Sequence, residues 1–169
     1  KATKVGDPLS EDTDMGPMST SSLRDDVHEQ VQQSVKAGAK LLCGGEIPDK
    51  KGAWYTPTVL EDIPKDAPAY KDEIFGPVAS LFKFDTVEEA LEIANSHRYG
   101  LGGGVFSKDV ERALKICRED LDVGIPNVNR YGNAQPNVPF GGVRDSGYGR
   151  EHAGFGLREF VNAKGITIN

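Results

Sequence analysis

The sequence contains two cysteines, and a cysteine thiolate is a common nucleophile in covalent catalysis. Cys117 falls on the apolar face of a predicted helix, where a buried thiol behaves as a small hydrophobic side chain. Cys43 ends a short apolar stretch before Gly44-Gly45, and no histidine lies near it in sequence. We therefore predict a structural role for both. Because they form no close-spaced motif, we expect no disulfide framework and a reducing, cytoplasmic location.

The histidines and serines also lack the spacing that catalysis or metal binding requires. His28, His97 and His152 share no metal-ligand spacing, and no Cys-x-x-Cys pair accompanies them. We expect these histidines to be solvated or to cap helices, and we expect no metal site. Ser146 lies in Arg-Asp-Ser-Gly rather than Gly-x-Ser-x-Gly, so the sequence does not support a hydrolase.

Glycine clusters could indicate a dinucleotide site, but their context argues against one. Neither Gly102-Gly103-Gly104 nor Gly147-Tyr148-Gly149 stands between a strand and a helix, as a Gly-x-Gly-x-x-Gly turn requires. We therefore predict no Rossmann phosphate site within this chain. The 20 glycines are not periodic, and they indicate turns and close backbone approaches.

Hydrophobic periodicity predicts the elements that must position any site. Leu23, Val27, Val31 and Val35 recur every four residues, so a helix should begin near 21–22 and end at Gly38. Strands are predicted at 39–43, 55–60, 78–84, 102–107, 123–128 and 165–169, and Pro57 favours a sheet edge for the second of these. Helices are predicted to begin at Thr86, Asp109 and Gly154. The first of these helices has a capping box from Thr86 to Glu89 and an apolar face formed by Val87, Ala90, Leu91 and Ala94.

From residue 78 the order strand, helix, strand, helix, strand predicts an α/β fold with a parallel sheet covered by helices. The Gly-, Pro- and Asn-rich segment 129–149 is a loop of a length that is usually functional or disordered. It carries Phe140, Tyr148 and two arginines, so we predict a functional loop. A strand at 165–169 would lack a neighbour, and unpaired strands invite a partner.

Short motifs in a fixed order extend along nearly the whole chain. They are Val5-Gly6-Asp7-Pro8, Asp72-Glu73-Ile74-Phe75-Gly76-Pro77-Val78, Asn95-x-x-x-Tyr99-Gly100-Leu101, Val105-Phe106-Ser107, Val128-Asn129, Pro139-Phe140-Gly141-Gly142-Val143-Arg144-x-Ser146-Gly147-x-Gly149-Arg150-Glu151 and Gly156-Leu157-x-Glu159-Phe160. This ordered set resembles the C-terminal portion of the aldehyde dehydrogenase superfamily. The last two motifs look most like the compact bacterial succinate-semialdehyde dehydrogenases.

The resemblance implies an NAD- or NADP-dependent oxidation of a small aldehyde to a carboxylic acid. In this family a cysteine thiolate attacks the aldehyde, a glutamate activates water, and an asparagine with a backbone N–H holds the oxyanion. All of these residues, and the nucleotide-binding domain, lie N-terminal to the matched segment. Neither Cys43 nor Cys117 matches the nucleophile's motif. The resemblance therefore implies no catalytic residue in this chain, an active longer parent and an inactive isolated chain.

The same resemblance implies two cofactor residues and two substrate residues. Glu73 matches the glutamate that hydrogen-bonds the nicotinamide ribose hydroxyls, and Phe75 matches the aromatic beside that ribose and the nicotinamide. Phe140 matches an aromatic of the aldehyde access tunnel. Arg130 begins the variable substrate loop 130–137 and can pair with a substrate carboxylate, although an exposed or salt-bridged arginine remains an alternative.

The resemblance also divides the chain. Residues 1–160 correspond to part of the catalytic domain and 161–169 to an oligomerisation strand, which implies a homodimer or homotetramer. Arg144 and Arg150 are expected to be structural, tying the Gly-rich loop to nearby carboxylates. Because Lys1 rather than Met stands first, we expect the chain to be the product of a cleavage or a truncation.

Charge and composition exclude other classes of function. The net charge of −6, with scattered Lys and Arg, argues against a nucleic-acid binder, and no run of 18 apolar residues indicates a membrane span. Two alternatives stay open: a non-catalytic structural or oligomerisation module derived from the family, and an acyl-CoA-forming branch that lacks the hydrolytic step. The resemblance implies that the choice between NAD and NADP is set upstream of this chain.

Overall fold

The computed structural model describes residues 3–132 and 134–169. They form two compact units, one ending at Phe84 and one spanning Asp85–Asn169. The α/β class predicted from the sequence is confirmed, because helices and sheets alternate in both units. No helix among the described residues combines the length and apolar character needed to cross a bilayer.

The first unit is built on helix α1 (Ser21–Ala37). The Thr20 side chain accepts a hydrogen bond from the Leu23 N–H at 3.2 Å and caps its first turn. Gly38 ends the helix with φ at 119°, a left-handed conformation that glycine adopts without a Cβ penalty. The predicted start and end of this helix are therefore confirmed.

A three-stranded sheet packs against α1. It contains β1 (Lys40–Cys43), β2 (Thr58–Glu61) and β3 (Val78–Leu81) in the order β1-β2-β3. β2 is antiparallel to β1 and parallel to β3, so the prediction that this segment lies at an edge is wrong. Pro57 precedes the strand instead of lying within it, so its missing N–H removes no ladder bond.

The core of the first unit lies between α1, the sheet and the short helix α2 (Pro68–Lys71). Val31, Leu60 and Ala67 are each fully buried in one cluster. Ser34, also fully buried, joins the two helices: its Oγ donates to the Gln30 carbonyl at 2.7 Å and accepts from the Ala69 N–H at 3.0 Å.

The second unit begins with α3 (Val87–Asn95). The Thr86 half of the predicted capping box is confirmed, because Thr86 accepts from the Glu89 N–H at 3.2 Å. The Glu89 carboxylate does reach back, but it accepts from the Asp85 N–H at 2.9 Å, one residue before the N-cap. The prediction of a buried apolar face is wrong, because α3 has no buried residue and its apolar side is only partly covered.

The strands of the second unit form two small sheets. β5 (Gly102–Val105) and β6 (Ile125–Val128) are parallel, joined by α4 (Val110–Lys115) and a π-turn at Ile116–Asp120. β4 (Tyr99–Gly100) pairs antiparallel with β7 (Val143–Arg144). The predicted continuous βαβαβ sheet is not formed among the described residues: β3 pairs with β2, and β5 pairs with β6, so the parallel crossovers are β2-α2-β3 and β5-α4-β6.

The chain ends with α5 (Ala153–Glu159), which confirms the predicted short helix. Residues 161–169 have no regular secondary structure in the single chain. Because a strand needs a neighbouring strand for its hydrogen bonds, the predicted strand at 165–169 stays a prediction.

Candidate functional site

The segment 72–77 connects α2 to β3 and is fixed at both ends. The Asp72 N–H donates to the Pro68 carbonyl at 2.9 Å, which closes α2. The Thr58 N–H donates to the Pro77 carbonyl at 2.9 Å, which joins the other end to the central strand. The segment is therefore a short loop held between two ordered elements, and such loops position functional side chains well.

Within this loop, burial alternates from one residue to the next. Ile74 is half-buried and packs against the core cluster, whereas Glu73 and Phe75 are exposed. The Phe75 side chain is 70% exposed, which is unusual for a large aromatic and is not explained by folding of this unit. The sequence thus presents a carboxylate and an aromatic ring together at the surface.

Gly76 fixes how closely this loop approaches helix α1. A Cβ at Gly76 would lie 2.8 Å from Val27 Cγ2 and 3.4 Å from Met18 Cε. Only a residue without a side chain fits this approach. The glycine therefore sets the distance between α1 and the loop that carries Glu73 and Phe75.

The Glu73 carboxylate is available to accept hydrogen bonds. Its backbone carbonyl accepts from Gln30 Nε2 at 3.5 Å, but among the described residues no group pairs with its carboxylate. A free carboxylate can accept two hydrogen bonds from a vicinal diol, and an exposed aromatic face can pack beside a sugar or a flat heterocycle. Glu73 and Phe75 thus have the chemistry to bind a nucleotide's ribose.

Phe140 lies in the second unit and is held by its neighbours. Its N–H donates to the Glu151 carbonyl at 2.9 Å, its carbonyl accepts from the Glu151 N–H at 2.6 Å, and its ring centroid lies 5.7 Å from that of His152. Phe140 lines a cavity of about 320 Å³ together with Leu101, the Gly-rich loop and Glu159. This position suits an aromatic residue at the wall of a small-molecule site.

Arg130 lines a different cavity, of about 340 Å³, beside the three glycines of β5 and the ring pair Phe106–Tyr131. With the Gln135 amide oriented so that its oxygen faces the guanidinium, Arg130 Nη1 and Nη2 donate to it at 3.1 and 2.7 Å. No salt bridge to Arg130 occurs in the described ranges 3–132 and 134–169. Because Arg130 and Phe140 line different cavities, the structure does not bring these two predicted substrate residues together.

The two arginines predicted to be structural do hold the Gly-rich loop. Arg144 donates to the Asn95 and Asp122 carbonyls at 2.7 and 2.9 Å, and its Nε lies 3.5 Å from the Asp122 carboxylate. Arg150 instead donates to the carbonyls of Gly142 and Gly149, at 2.6 and 2.7 Å. The predicted carboxylate partner is thus confirmed for Arg144. Arg150 bonds to backbone carbonyl oxygens of the Gly-rich loop instead of to a carboxylate.

The cysteines are both free thiols. Cys117 is buried and its Sγ lies 3.4 Å from the Asn127 carbonyl, which confirms the predicted packing role. Burial raises the pKa of the Cys117 thiol, so less thiolate is present at neutral pH than for a free cysteine. Cys43 is half-buried beside a groove of about 690 Å³, with Sγ 3.9 Å from the Pro57 carbonyl.

Each histidine contacts a neighbouring residue. His28 Nδ1 lies 3.3 Å from the Tyr55 hydroxyl, and His97 accepts from the Tyr99 N–H at 3.3 Å. His152 precedes α5, but its side chain makes no cap bond, so a capping role is wrong for it. No cluster of three metal-ligating side chains occurs in the part of the chain that the structure describes.

Sequence reasoning missed one contact near the predicted substrate residues. His152 Nδ1 lies 3.1 Å from the Gln135 carbonyl, and its ring contacts Phe140. The one signal in the sequence was that His152 directly follows the motif that contains Phe140 and Glu151. The structure shows that Glu151 pairs with Phe140. Spacing rules for metal sites and capping could not detect it.

Comparisons with known proteins match this chain to one family. The family model described as "Aldehyde dehydrogenase family" matches residues 1–166. A Mycobacterium avium (strain 104) protein named succinate-semialdehyde dehydrogenase (NADP+) is 45% identical over 168 residues, which are 99% of this chain and 35% of that protein. A Synechocystis protein with the name "probable succinate-semialdehyde dehydrogenase" (NADP+) is 42% identical over 99% of this chain and 37% of its own length.

Solved structures agree with the sequence comparison. Succinic semialdehyde dehydrogenase from Streptococcus pyogenes, in complex with NADP+, matches with a TM-score of 0.93 and 39% identity, over 98% of this chain and 36% of that one. Mycobacterium tuberculosis aldehyde dehydrogenase complexed with NAD+ matches with a TM-score of 0.88 and 35% identity, over 94% and 33%. The chain therefore spans about a third of the length of these relatives. The chain belongs to the aldehyde dehydrogenase family.

Proposed function

We propose that this chain is the C-terminal part of an NAD(P)+-dependent aldehyde dehydrogenase, with succinate semialdehyde as the favoured substrate. The observation that carries the proposal is the fixed loop 72–77, which exposes Glu73 and Phe75. The names of the 42–45% identical relatives support the substrate and NADP+, and a related structure was solved with NAD+. The net reaction takes aldehyde, water and NAD(P)+ to carboxylic acid, NAD(P)H and a proton.

Glu73 and Phe75 would hold the cofactor at its nicotinamide end. The Glu73 carboxylate, which has no partner among the described residues, would accept hydrogen bonds from the two ribose hydroxyls. The exposed face of Phe75 would pack beside the ribose and limit the orientation of the nicotinamide. When bound, NAD(P)+ supplies the hydride acceptor.

Arg130 and Phe140 would contribute to the substrate side. The guanidinium of Arg130 is exposed and is held by a neutral amide rather than a carboxylate, so its charge remains available to a substrate carboxylate. Phe140 would form an apolar wall beside the aldehyde chain. Because they line separate cavities in this chain, we propose that they contact different parts of the substrate route.

The nucleophile would lie outside this chain. Cys117 is buried and its raised pKa disfavours the thiolate, and Cys43 lies beside a carbonyl with no histidine partner among the described residues. Two free thiols suit a reducing compartment, which supports a cytoplasmic location.

We also propose that residues 161–169 serve assembly of a homodimer or homotetramer, while 1–160 form part of the catalytic domain. Val161, Ile166 and Ile168 are 60–92% exposed in the single chain, and an apolar tail of this kind is stabilised by pairing with a partner. Deleting 161–169 from the longer protein should lower its mass in light scattering without abolishing folding.

The test of the proposed function is aldehyde oxidation by the complete protein that contains this chain. We expect reduced nicotinamide to form with succinate semialdehyde, and Phe75→Ala to raise the KM for the cofactor. Asp66→Asn, an exposed carboxylate of the same unit, is the control that should leave the kinetics unchanged. Absence of oxidation with several aldehydes and both cofactors would favour the alternative, a non-catalytic module.

A further inference from the structure

The segment Glu151–Ala153, here called the clasp, bonds to two parts of the predicted functional loop 129–149. Glu151 exchanges two backbone hydrogen bonds with Phe140, and the Ala153 N–H donates to the Pro136 carbonyl at 2.9 Å. These bonds hold residues 136–140 beside the clasp without involving any side chain. Backbone bonding alone would be satisfied by almost any residue between Glu151 and Ala153.

The residue between them is His152, and its side chain adds two further contacts. Because the Gln135 carbonyl cannot donate, His152 Nδ1 carries the proton of the 3.1 Å hydrogen bond between them. The His152 ring also lies 5.7 Å from the Phe140 ring, tilted by 42°. The side-chain amide of Gln135 faces Arg130. One imidazole thus connects to Phe140 directly and to Arg130 through Gln135.

The backbone of His152 is unfavourable for a histidine. Its φ and ψ are 63° and 179°, a region of the Ramachandran map that is essentially reserved for glycine. Ala153 follows with φ at 47°. Glycine would adopt the His152 conformation without strain, so the strain persists only if surrounding contacts fix it. The side-chain contacts to Gln135 and Phe140 are such contacts.

We propose that His152 is a positioning residue that sets the placement of Arg130 and Phe140 relative to one another, and so the fit of the aldehyde. This inference rests on the proposed function of the parent enzyme. His152 itself touches no reacting atom in the proposal. It acts on substrate affinity through the Gln135 carbonyl and the Phe140 ring.

The experiment compares four variants in the complete enzyme. In His152→Ala and His152→Gly, loss of one part-buried hydrogen bond should raise the KM for the aldehyde about 3- to 10-fold. The KM for the cofactor and kcat should stay within about twofold, because the reacting groups are untouched. His152→Asn should restore most of the affinity, since its side-chain amide can donate to the Gln135 carbonyl. His97→Ala, which loses the same kinds of contact at Tyr99, should leave every constant unchanged.

His152→Gly separates positioning from a merely structural role. It relieves the backbone strain, so its melting temperature should be no lower than that of His152→Ala. A wild-type KM in His152→Gly would overturn the proposal, because the imidazole would then be dispensable. A lower kcat together with higher KM values for both substrate and cofactor, accompanied by unfolding, would also overturn the proposal.

A second readout does not depend on activity. The Val138 N–H donates to the same Gln135 carbonyl at 3.1 Å, so its hydrogen exchange should accelerate in His152→Gly, while exchange at Ile125 in β6 stays unchanged. If the wild-type enzyme oxidises no aldehyde, the proposed function fails. Unchanged Val138 exchange would instead show that His152 does not hold Gln135, whatever the activity.

Discussion

Replacing Ser34 with alanine removes the side chain that joins α1 to α2. Ser34 Oγ is fully buried, accepts from the Ala69 N–H at 3.0 Å and donates to the Gln30 carbonyl at 2.7 Å. The Ala69 N–H is in the first turn of α2, where no intrahelical acceptor exists. In Ser34→Ala this buried donor would therefore lose its partner.

The expected cost follows from two opposing effects. An unsatisfied buried N–H costs about 1–3 kcal/mol. Alanine regains about 0.5 kcal/mol through its better helix propensity in the interior of α1. The Gln30 carbonyl keeps its ordinary helical hydrogen bond, so losing the additional bond from the Ser34 hydroxyl adds little to the free-energy cost. We expect a net destabilisation of the first unit of about 1.5 kcal/mol.

Urea unfolding measures this change. Trp54 is the only tryptophan of the chain, lies in the first unit and is 8% exposed, so its fluorescence follows the unfolding of that unit. With a slope of about 1.5 kcal/mol per molar urea, the midpoint should fall by about 1 M. Ser22→Ala, an exposed position of the same helix, should shift the unfolding free energy by less than about 0.5 kcal/mol. Equal midpoints for Ser34→Ala and wild type would refute this account of the α1–α2 contact.

Gly76→Ala should destabilise the first unit by about 1–3 kcal/mol in urea unfolding, and Val27→Ala should recover part of that loss, because the new Cβ would meet Val27. Independent, additive losses would contradict the contact. Cys117→Ala should cost about 1–2 kcal/mol, and a thiol reagent at neutral pH should label Cys43 before Cys117, whose pKa is raised by burial. Burial raises the pKa of Tyr55 above its usual 10.0, so the folded state holds this proton more tightly. The stabilisation that protonated Tyr55 gives the folded state is therefore complete below pH 10.0 and falls as the pH rises further. Urea midpoints measured at increasing alkaline pH should show this fall in stability. The fall should be smaller in Tyr55→Phe.

Local rules of helix chemistry were the most informative part of the sequence. Helix α1 begins where periodicity predicted and ends at Gly38 as predicted, and Thr86 begins α3. These features depend on residues within one or two turns, so the sequence contains all the information that determines them. Glu73 and Phe75 were singled out by the family resemblance of their motif, and their cofactor role stays a proposal.

Long-range pairing and backbone strain could not be read from the sequence. The central position of β2 depends on strands β1 and β3, which lie many residues away, and Pro57 gave a misleading edge signal. The role of His152 depends on a positive φ that propensity rules assign to glycine. The separation of Arg130 from Phe140 depends on how one irregular loop folds, and no periodicity describes such a loop.

The central claim is that Glu73 positions the nicotinamide cofactor. The most direct test is the single-turnover rate of hydride transfer in the complete enzyme, measured by stopped-flow absorbance of reduced nicotinamide for wild type, Glu73→Gln and the control Asp66→Asn. Loss of charge-assisted hydrogen bonds to the ribose should slow Glu73→Gln about 10- to 100-fold, with Asp66→Asn at the wild-type rate. An unchanged hydride-transfer rate and cofactor affinity in Glu73→Gln would contradict the account.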